Sequence, residues 1–159
     1  VKHLPKHLRP RWRYLAVGLE AWPDADLSRR TFQRALWYSA GNLLGDPGSA
    51  DADLSLFDFS FSEGEGEALV RARHGHVEAA RAAIACISDV DGAPVRVTVR
   101  GISGTVRACE ERYMGRGSGN SVRRDIAFAG SDRPAVVRGD AADVETDAGR
   151  VGATPLDFE

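Results

Sequence analysis

Between residues 54 and 73 the chain reads Leu54-Ser55-Leu56-Phe57-Asp58-Phe59-Ser60-Phe61-Ser62-Glu63-Gly64-Glu65-Gly66-Glu67-Ala68-Leu69-Val70-Arg71-Ala72-Arg73. Leu54, Leu56 and the run Phe57 to Phe61 predict one strand, in which Phe57, Phe59 and Phe61 share a face. Ser62 to Gly66 reverses the chain, and Glu67 to Arg73 predicts the antiparallel partner of a hairpin. The fold turns on what flanks that hairpin. Before it, Leu27 to Leu44 predicts a helix, because Phe32, Leu36, Ala40 and Leu43 recur at helical spacing. Ser28 is its N-cap, Leu27 packs on Phe32 as a staple, and Gly45-Asp46-Pro47-Gly48 ends it. After the hairpin, Val77 to Ser88 predicts a small-residue helix striped by Val77, Ala80, Ile84 and Ile87.

One further strand lies on each side. Arg11 to Glu20 alternates Trp12, Tyr14, Ala16 and Gly18 against Arg13, Leu15, Val17 and Leu19, so both of its faces are partly covered. Val95, Val97 and Val99 alternate with Arg96, Thr98 and Arg100, giving an apolar side and a basic one. The order strand, helix, strand, strand, helix, strand is the split βαβ pattern. It predicts an α+β, ferredoxin-like or RNA-recognition-motif-like sandwich, an antiparallel sheet with two helices on one face. An extra helix, capped by Ser103 and running to Met114, follows. Gly115 to Asn120 then forms a glycine- and serine-rich loop, and short strands are expected near 126–128, 136–138 and 144–146. Residues 1–115 form the domain, and 116–159 are read as a loop and acidic extension of it.

The length, 159 residues with 43% hydrophobic, suits one ordinary core. No apolar stretch approaches the roughly 20 residues that span a bilayer, and the basic start leads into no signal-peptide core, so a cytoplasmic protein without membrane contact is expected. Cys86 and Cys109 sit in helix-like segments among apolar neighbours and read as buried thiols. A net charge of −2 hides alternating blocks: 1–34 and 71–124 are basic, whereas 46–67 and 125–159 are acidic. Of the 21 basic residues 19 are Arg and 2 are Lys, a bias similar to that of proteins from salt-accumulating halophiles. Blocks of this kind suggest a basic face for a polyanion beside an acidic, solvated remainder.

No nucleophile with its base, phosphate loop or metal cluster can be assembled from the sequence. His3 with His7 and His74 with His76 lack Cys or Glu at ligand spacing, the carboxylates of 46–67 lack calcium-loop spacing, and Ser118 lacks the strand-to-helix elbow of a serine nucleophile. The basic features carry more. Lys2, His3, Lys6, His7, Arg9, Arg11 and Arg13 crowd beside Trp12 and Tyr14, offering phosphate contacts and stacking surfaces, or else a solvated arm. Arg29 and Arg30 fall in the first turn of the long helix, where the macrodipole disfavours positive charge. An incoming phosphate or acidic surface would offset that cost. In Arg100-Gly101-Ile102-Ser103-Gly104-Thr105-Val106-Arg107, Ser103, Gly104 and Thr105 open a helix between Arg100 and Arg107, a phosphate seat or simply a well-capped helix. Trp37 and Tyr38 are adjacent on the long helix. Side chains 100° apart cannot both enter one narrow core stripe, so at least one lies toward an edge and can anchor a partner.

Four segments carry a resemblance. They are the run from His3 to Tyr14 with its following strand, Phe32 to Tyr38, Asn42 to Gly45, and Arg100 to Glu111. Over residues 2 to 115 the chain resembles the archaeal and eukaryotic ribonuclease P protein component 2 family, most closely its halophilic archaeal members. The tail looks like the extension those members carry.

The resemblance implies an accessory subunit of the ribonucleoprotein that removes the 5′ leader from precursor tRNA. In that family the ribonuclease P RNA is the catalyst, Mg2+ belongs to the RNA-centred chemistry, and this chain would bind no cofactor. Expected partners are the RNA, the TIM-barrel-like component 3 and other ribonuclease P proteins, with precursor tRNA as substrate of the whole. Glu67 to Arg73 lacks the aromatics with which typical RNA-recognition motifs stack unpaired bases, which favours contact with structured RNA through phosphates and shape. A ferredoxin-like regulatory domain binding a small anion or metabolite at the Ser103 helix is the alternative that the residues leave open.

Overall fold

The computed structural model describes residues 3–115 and 121–158. Lys2 and the expected loop over 116–120, with Ser118, lie outside the described residues. The chain forms two compact units, Val1–Gly115 and Arg116–Glu159. In the first, β1 (Trp12–Ala21), α1 (Arg29–Ala52), β2 (Ser55–Ser62), β3 (Glu65–Arg73), α2 (Val77–Ala85), β4 (Asp89–Val90), β5 (Ala93–Ser103) and α3 (Val106–Tyr113) follow in order. The sheet order is β2-β3-β1-β5-β4, and every pairing is antiparallel. This is the split βαβ arrangement expected from the hairpin and its flanks.

Period-two alternation decides what each face of β1 does. Leu15, Val17 and Leu19 join Phe32 and Leu36 of α1 and Ile84 of α2 in the main core. Burying each of these large side chains contributes about 2 kcal/mol. Ser39 is buried between the two helices, where its hydroxyl donates to the Ala83 carbonyl at 2.5 Å. On the opposite face Ala16, Leu69 and Cys109 form a smaller core beneath α3, joined by Tyr14 and Tyr113. Small residues make that approach possible. A Cβ on Gly101 would collide with the Tyr113 ring, and one on Gly18 would stand 2.7 Å from Arg100 Nε.

Ser28 caps α1 in a full capping box: its hydroxyl accepts from Thr31 N at 3.2 Å, and Thr31 Oγ1 accepts from Ser28 N at 3.0 Å. The hairpin turn is Glu63-Gly64, with φ of 51° and 82°, both in the left-handed region that a two-residue turn of this kind demands.

Four expectations are corrected. The Gly45-Asp46-Pro47-Gly48 segment kinks α1 at Gly45, φ 71°, without ending it, and helix resumes to Ala52 because Pro47 stands in the first turn of the resumed segment, where its missing N–H costs nothing. Phe57 leaves the face shared by Phe59 and Phe61. A bulge between Leu56 and Asp58 turns it to the other side of the sheet, where it meets Tyr14. Thr105, not Ser103, caps α3, its hydroxyl accepting from Ala108 N at 3.2 Å, because Ser103 still belongs to β5. Cys86 is exposed, since α2 ends at Ala85, one residue before it, whereas Cys109 is buried.

In the second unit β6 (Val122–Phe128), β7 (Ser131–Arg138), β8 (Ala141–Thr146) and β9 (Gly149–Ala153) form one antiparallel sheet in sequence order. Ile126, Ala135, Ala142, Val144 and Ala153 make its own core. The three expected short strands lie within β6, β7 and β8, and β9 completes them. Among the described residues no helix is long and apolar enough to cross a membrane.

Candidate nucleic-acid interface

The sheet register brings basic and aromatic side chains to one end of the first unit. Trp12 pairs with Arg73 and Tyr14 with Arg71 across β1 and β3, so all four share the face that α3 partly covers. The Arg71 guanidinium carbon lies 4.0 Å from the Trp12 ring centroid, and that of Arg73 lies 5.4 Å from it. Such cation–π contacts hold a guanidinium in place without neutralising it; Arg73, unlike Arg71, also pairs with Asp53 at 3.4 Å. Tyr14 also pairs with Ser103 of β5, after which α3 begins, so the start of α3 lies at the same end. There Nη1 of Arg13 comes within 3.5 Å of where a Cβ on Gly104 would stand. The backbone of Arg11 is held beside them, its carbonyl accepting from His74 N at 2.9 Å.

The expected basic residues divide accordingly. Arg13 and Gly104 are brought together, with Thr105 next in the chain and Ser103 buried at the strand end, whereas Arg11 is placed on the β3 side by its backbone bond to His74. Arg107 projects beside them, 87% exposed, and donates to Glu111 at 2.7 Å. Arg100 falls elsewhere. It sits at the bulge of β5 opposite Ala16 and Val17 and forms an ion pair with Glu67, whose carboxylate also accepts the N–H of Gly115 after α3. Arg100 therefore accompanies the end of that helix, not its start. Lys6 and Arg9 belong to the exposed N-terminal segment, where Arg9 Nε donates to the Leu4 carbonyl at 2.8 Å. Arg30 is exposed. Arg29 is engaged: one guanidinium nitrogen donates to the carbonyls of Leu56 at 2.8 Å and Phe57 at 3.1 Å, pinning the β2 bulge.

Sequence reasoning missed Arg71 and Arg73 as site residues. Their alternation within the strand was visible, but only cross-strand register sets them over Trp12.

Trp37 and Tyr38 of α1 are both exposed, at 56% and 73%. Trp37 Nε1 donates to the Leu54 carbonyl at 2.8 Å. Tyr38 lines a groove of about 550 Å³ with Arg34 and Leu43 of α1 and Cys86, Ile87 and Asp91 beyond α2. Burial raises the pKa of the Cys109 thiol, with the charge of Glu110 adding to the effect, so it stays protonated and unreactive. Among the described residues no three His, Cys, Asp or Glu side chains come together in a way that could hold a metal ion.

Residues 13–114 match the model of the Rpp14/Pop5 family. That is more than half of the chain and ends where the first compact unit ends. The chain belongs to the Rpp14/Pop5 family. This Rpp14/Pop5 protein is 72% identical to ribonuclease P protein component 2 of Halorubrum lacusprofundi over 159 residues, the whole of both chains. It is 56% identical to that of Haloarcula marismortui over 160 residues, 99% of each. With the Pyrococcus horikoshii protein of the same name it shares 28% identity over 116 residues, 73% of this chain and 93% of that one. The Pyrococcus protein is thus too short to carry a counterpart of the whole second unit. Membership at this level makes the chain a ribonuclease P protein subunit, and the metabolite-binding alternative falls away.

Proposed function

We propose that this Rpp14/Pop5 protein is a non-catalytic subunit that supports the ribonuclease P RNA in removing the 5′ leader from precursor tRNA, contacting that RNA through the end of its sheet where β1, β3 and the start of α3 meet. The observation that carries the reading is the stacking of Arg71 and Arg73 on Trp12 at that end, with Arg13 beside Gly104 where α3 begins. Guanidinium groups make bidentate bonds to phosphate, and phosphate contacts set position on RNA without reading sequence. In this reading the RNA holds the Mg2+ and performs the hydrolysis, and the chain binds no cofactor. The exposed Trp37 and Tyr38 with the groove beside them are offered to the TIM-barrel-like component 3.

The test is reconstitution of precursor-tRNA cleavage from purified RNA and proteins, with and without this chain. Omission should lower cleavage, while the chain alone, free of RNA, should cleave nothing in Mg2+. Cleavage by nuclease-free protein would overturn the non-catalytic role, and full activity without the chain would overturn the supporting one.

A further inference from the structure

Phe57 is a large apolar side chain that the fold goes out of its way to expose. Strict alternation along β2 would place it with Phe59 and Phe61 toward the main core, where Phe59 stacks on Phe32 at 5.6 Å. The bulge rotates it to the other face and leaves it 46% exposed. Nor is the bulge slack. Arg29 donates to the carbonyls of both Leu56 and Phe57, and Gln33 Oε1 accepts from Leu56 N at 2.6 Å, so two side chains of α1 fix it. Bulges that re-aim a side chain cluster at functional sites.

What Phe57 is aimed at is chemically specific. Its ring meets Tyr14 edge-on, with centroids 5.9 Å apart and planes at 82°. An edge-to-face pair of this kind leaves a flat π-face of Phe57 without an aromatic partner. Between the two in the sheet lies Arg71, paired with Ser55 on one side and Tyr14 on the other. Its guanidinium stacks on Trp12 and makes no hydrogen bond or ion pair among the described residues, and its Nε is buried without a partner. A flat ring face next to a held guanidinium that lacks an anion matches the two halves of a nucleotide, base and phosphate. An apolar peptide would leave Arg71 unsatisfied, and a duplex phosphate backbone would leave Phe57 in water.

We propose that Phe57 and Tyr14, with Arg71 held on Trp12, form a seat for one unpaired RNA nucleotide, its base on the Phe57 ring and its phosphate on Arg71. The seat rests on the RNA-contact reading above and sharpens it. The aromatics absent from Glu67 to Arg73 are supplied instead by β1 and by the bulge of β2. Arg29, which the sequence offers as a phosphate ligand, becomes a positioning residue that sets the angle of Phe57.

The experiment uses the full chain with two probes, the ribonuclease P RNA and a single-stranded RNA dodecamer. Phe57→Leu keeps an apolar side chain and removes the flat face, while Phe57→Tyr keeps that face. Phe57→Leu should weaken dodecamer binding by about 5- to 100-fold and expose one or two unpaired nucleotides of the ribonuclease P RNA to 2′-hydroxyl acylation. Phe57→Tyr should restore both. Thermal melting of each variant checks that the fold persists. Should Phe57→Leu bind and protect like the parent while Arg71→Gln and Arg73→Gln weaken assembly, the nucleotide seat is wrong and the phosphate-contact reading stands. Should the parent bind neither probe, that reading fails as well. Loss of a protein partner with RNA binding unchanged would reassign the platform to protein and overturn the seat.

Discussion

Both carboxylate oxygens of Glu67 accept the backbone N–H of Gly115, at 3.0 Å each. The same carboxylate pairs with Arg100, and both side chains are less than a quarter exposed. A single residue of β3 thereby ties the end of α3 and the bulge of β5 to the centre of the sheet.

Glu67→Ala should cost about 2 to 3 kcal/mol of unfolding free energy, because it leaves the Arg100 guanidinium half-buried without its partner and frees the end of α3. Denaturant unfolding at fixed salt measures it. Glu67→Ala combined with Arg100→Met should recover part of the loss, and a double variant as weak as the single one would refute the unpaired charge as the cause.

Gly101→Ala should destabilise by about 1 to 3 kcal/mol, since the new methyl meets the ring of Tyr113. In a double-mutant cycle, Tyr113→Ala should remove most of that extra cost. Full additivity would mean that the ring is not what the methyl strikes.

Tyr38→Ala is the cleaner of the two aromatic probes, because the ring is 73% exposed, whereas Trp37 is bonded to the Leu54 carbonyl. The Tyr38 variant should melt within about 0.5 kcal/mol of the parent. Its affinity for component 3 should fall by about 30-fold if the residue is an interface anchor. Normal co-purification at limiting concentration would move that interface elsewhere.

Arg11→Lys and Arg13→Lys should impair RNA assembly at molar salt far more than at low salt. In 1 M salt the Debye length is about 3 Å, so only direct bonds hold, and lysine gives up the bidentate fork at a cost of about tenfold in affinity. Arg100→Lys and Arg107→Lys are poorer tests, since both arginines are paired within the chain. Equal assembly at molar salt would show the arginine bias to be compositional.

Thiol titration of the native protein should count one fast group, Cys86, and a second, Cys109, only after unfolding. The raised pKa of Cys109 also fixes a sign. Above the ordinary thiol range the unfolded chain loses this proton first, so the folded state binds more protons and the contribution of Cys109 to stability falls as pH rises. Cys109→Ala should flatten that alkaline slope, and an unchanged slope would assign it to another group.

Much of this was legible in residue order. The alternation of β1 and β5, the Ser28 cap and the hairpin between two helices specify the split βαβ fold, because strand period, capping and turn chemistry are all local. Arg11, Arg13 and the Gly104-Thr105 helix start could be picked out for the same reason, as basic or small residues at a strand or helix end. Chain order could not say which side chain meets which across the sheet. Arg100 was drawn to Glu67, Arg29 to the carbonyls of a bulge, and Arg71 to the Trp12 ring, each by a partner distant in sequence. The bulge at Phe57 shifted one aromatic to the opposite face, since a one-residue slip in a period-two strand inverts every side chain beyond it. Local periodicity therefore determined the elements and their order, and register and bulges, which exist only once strands pair, decided which charges are spent within the fold and which are left for a partner.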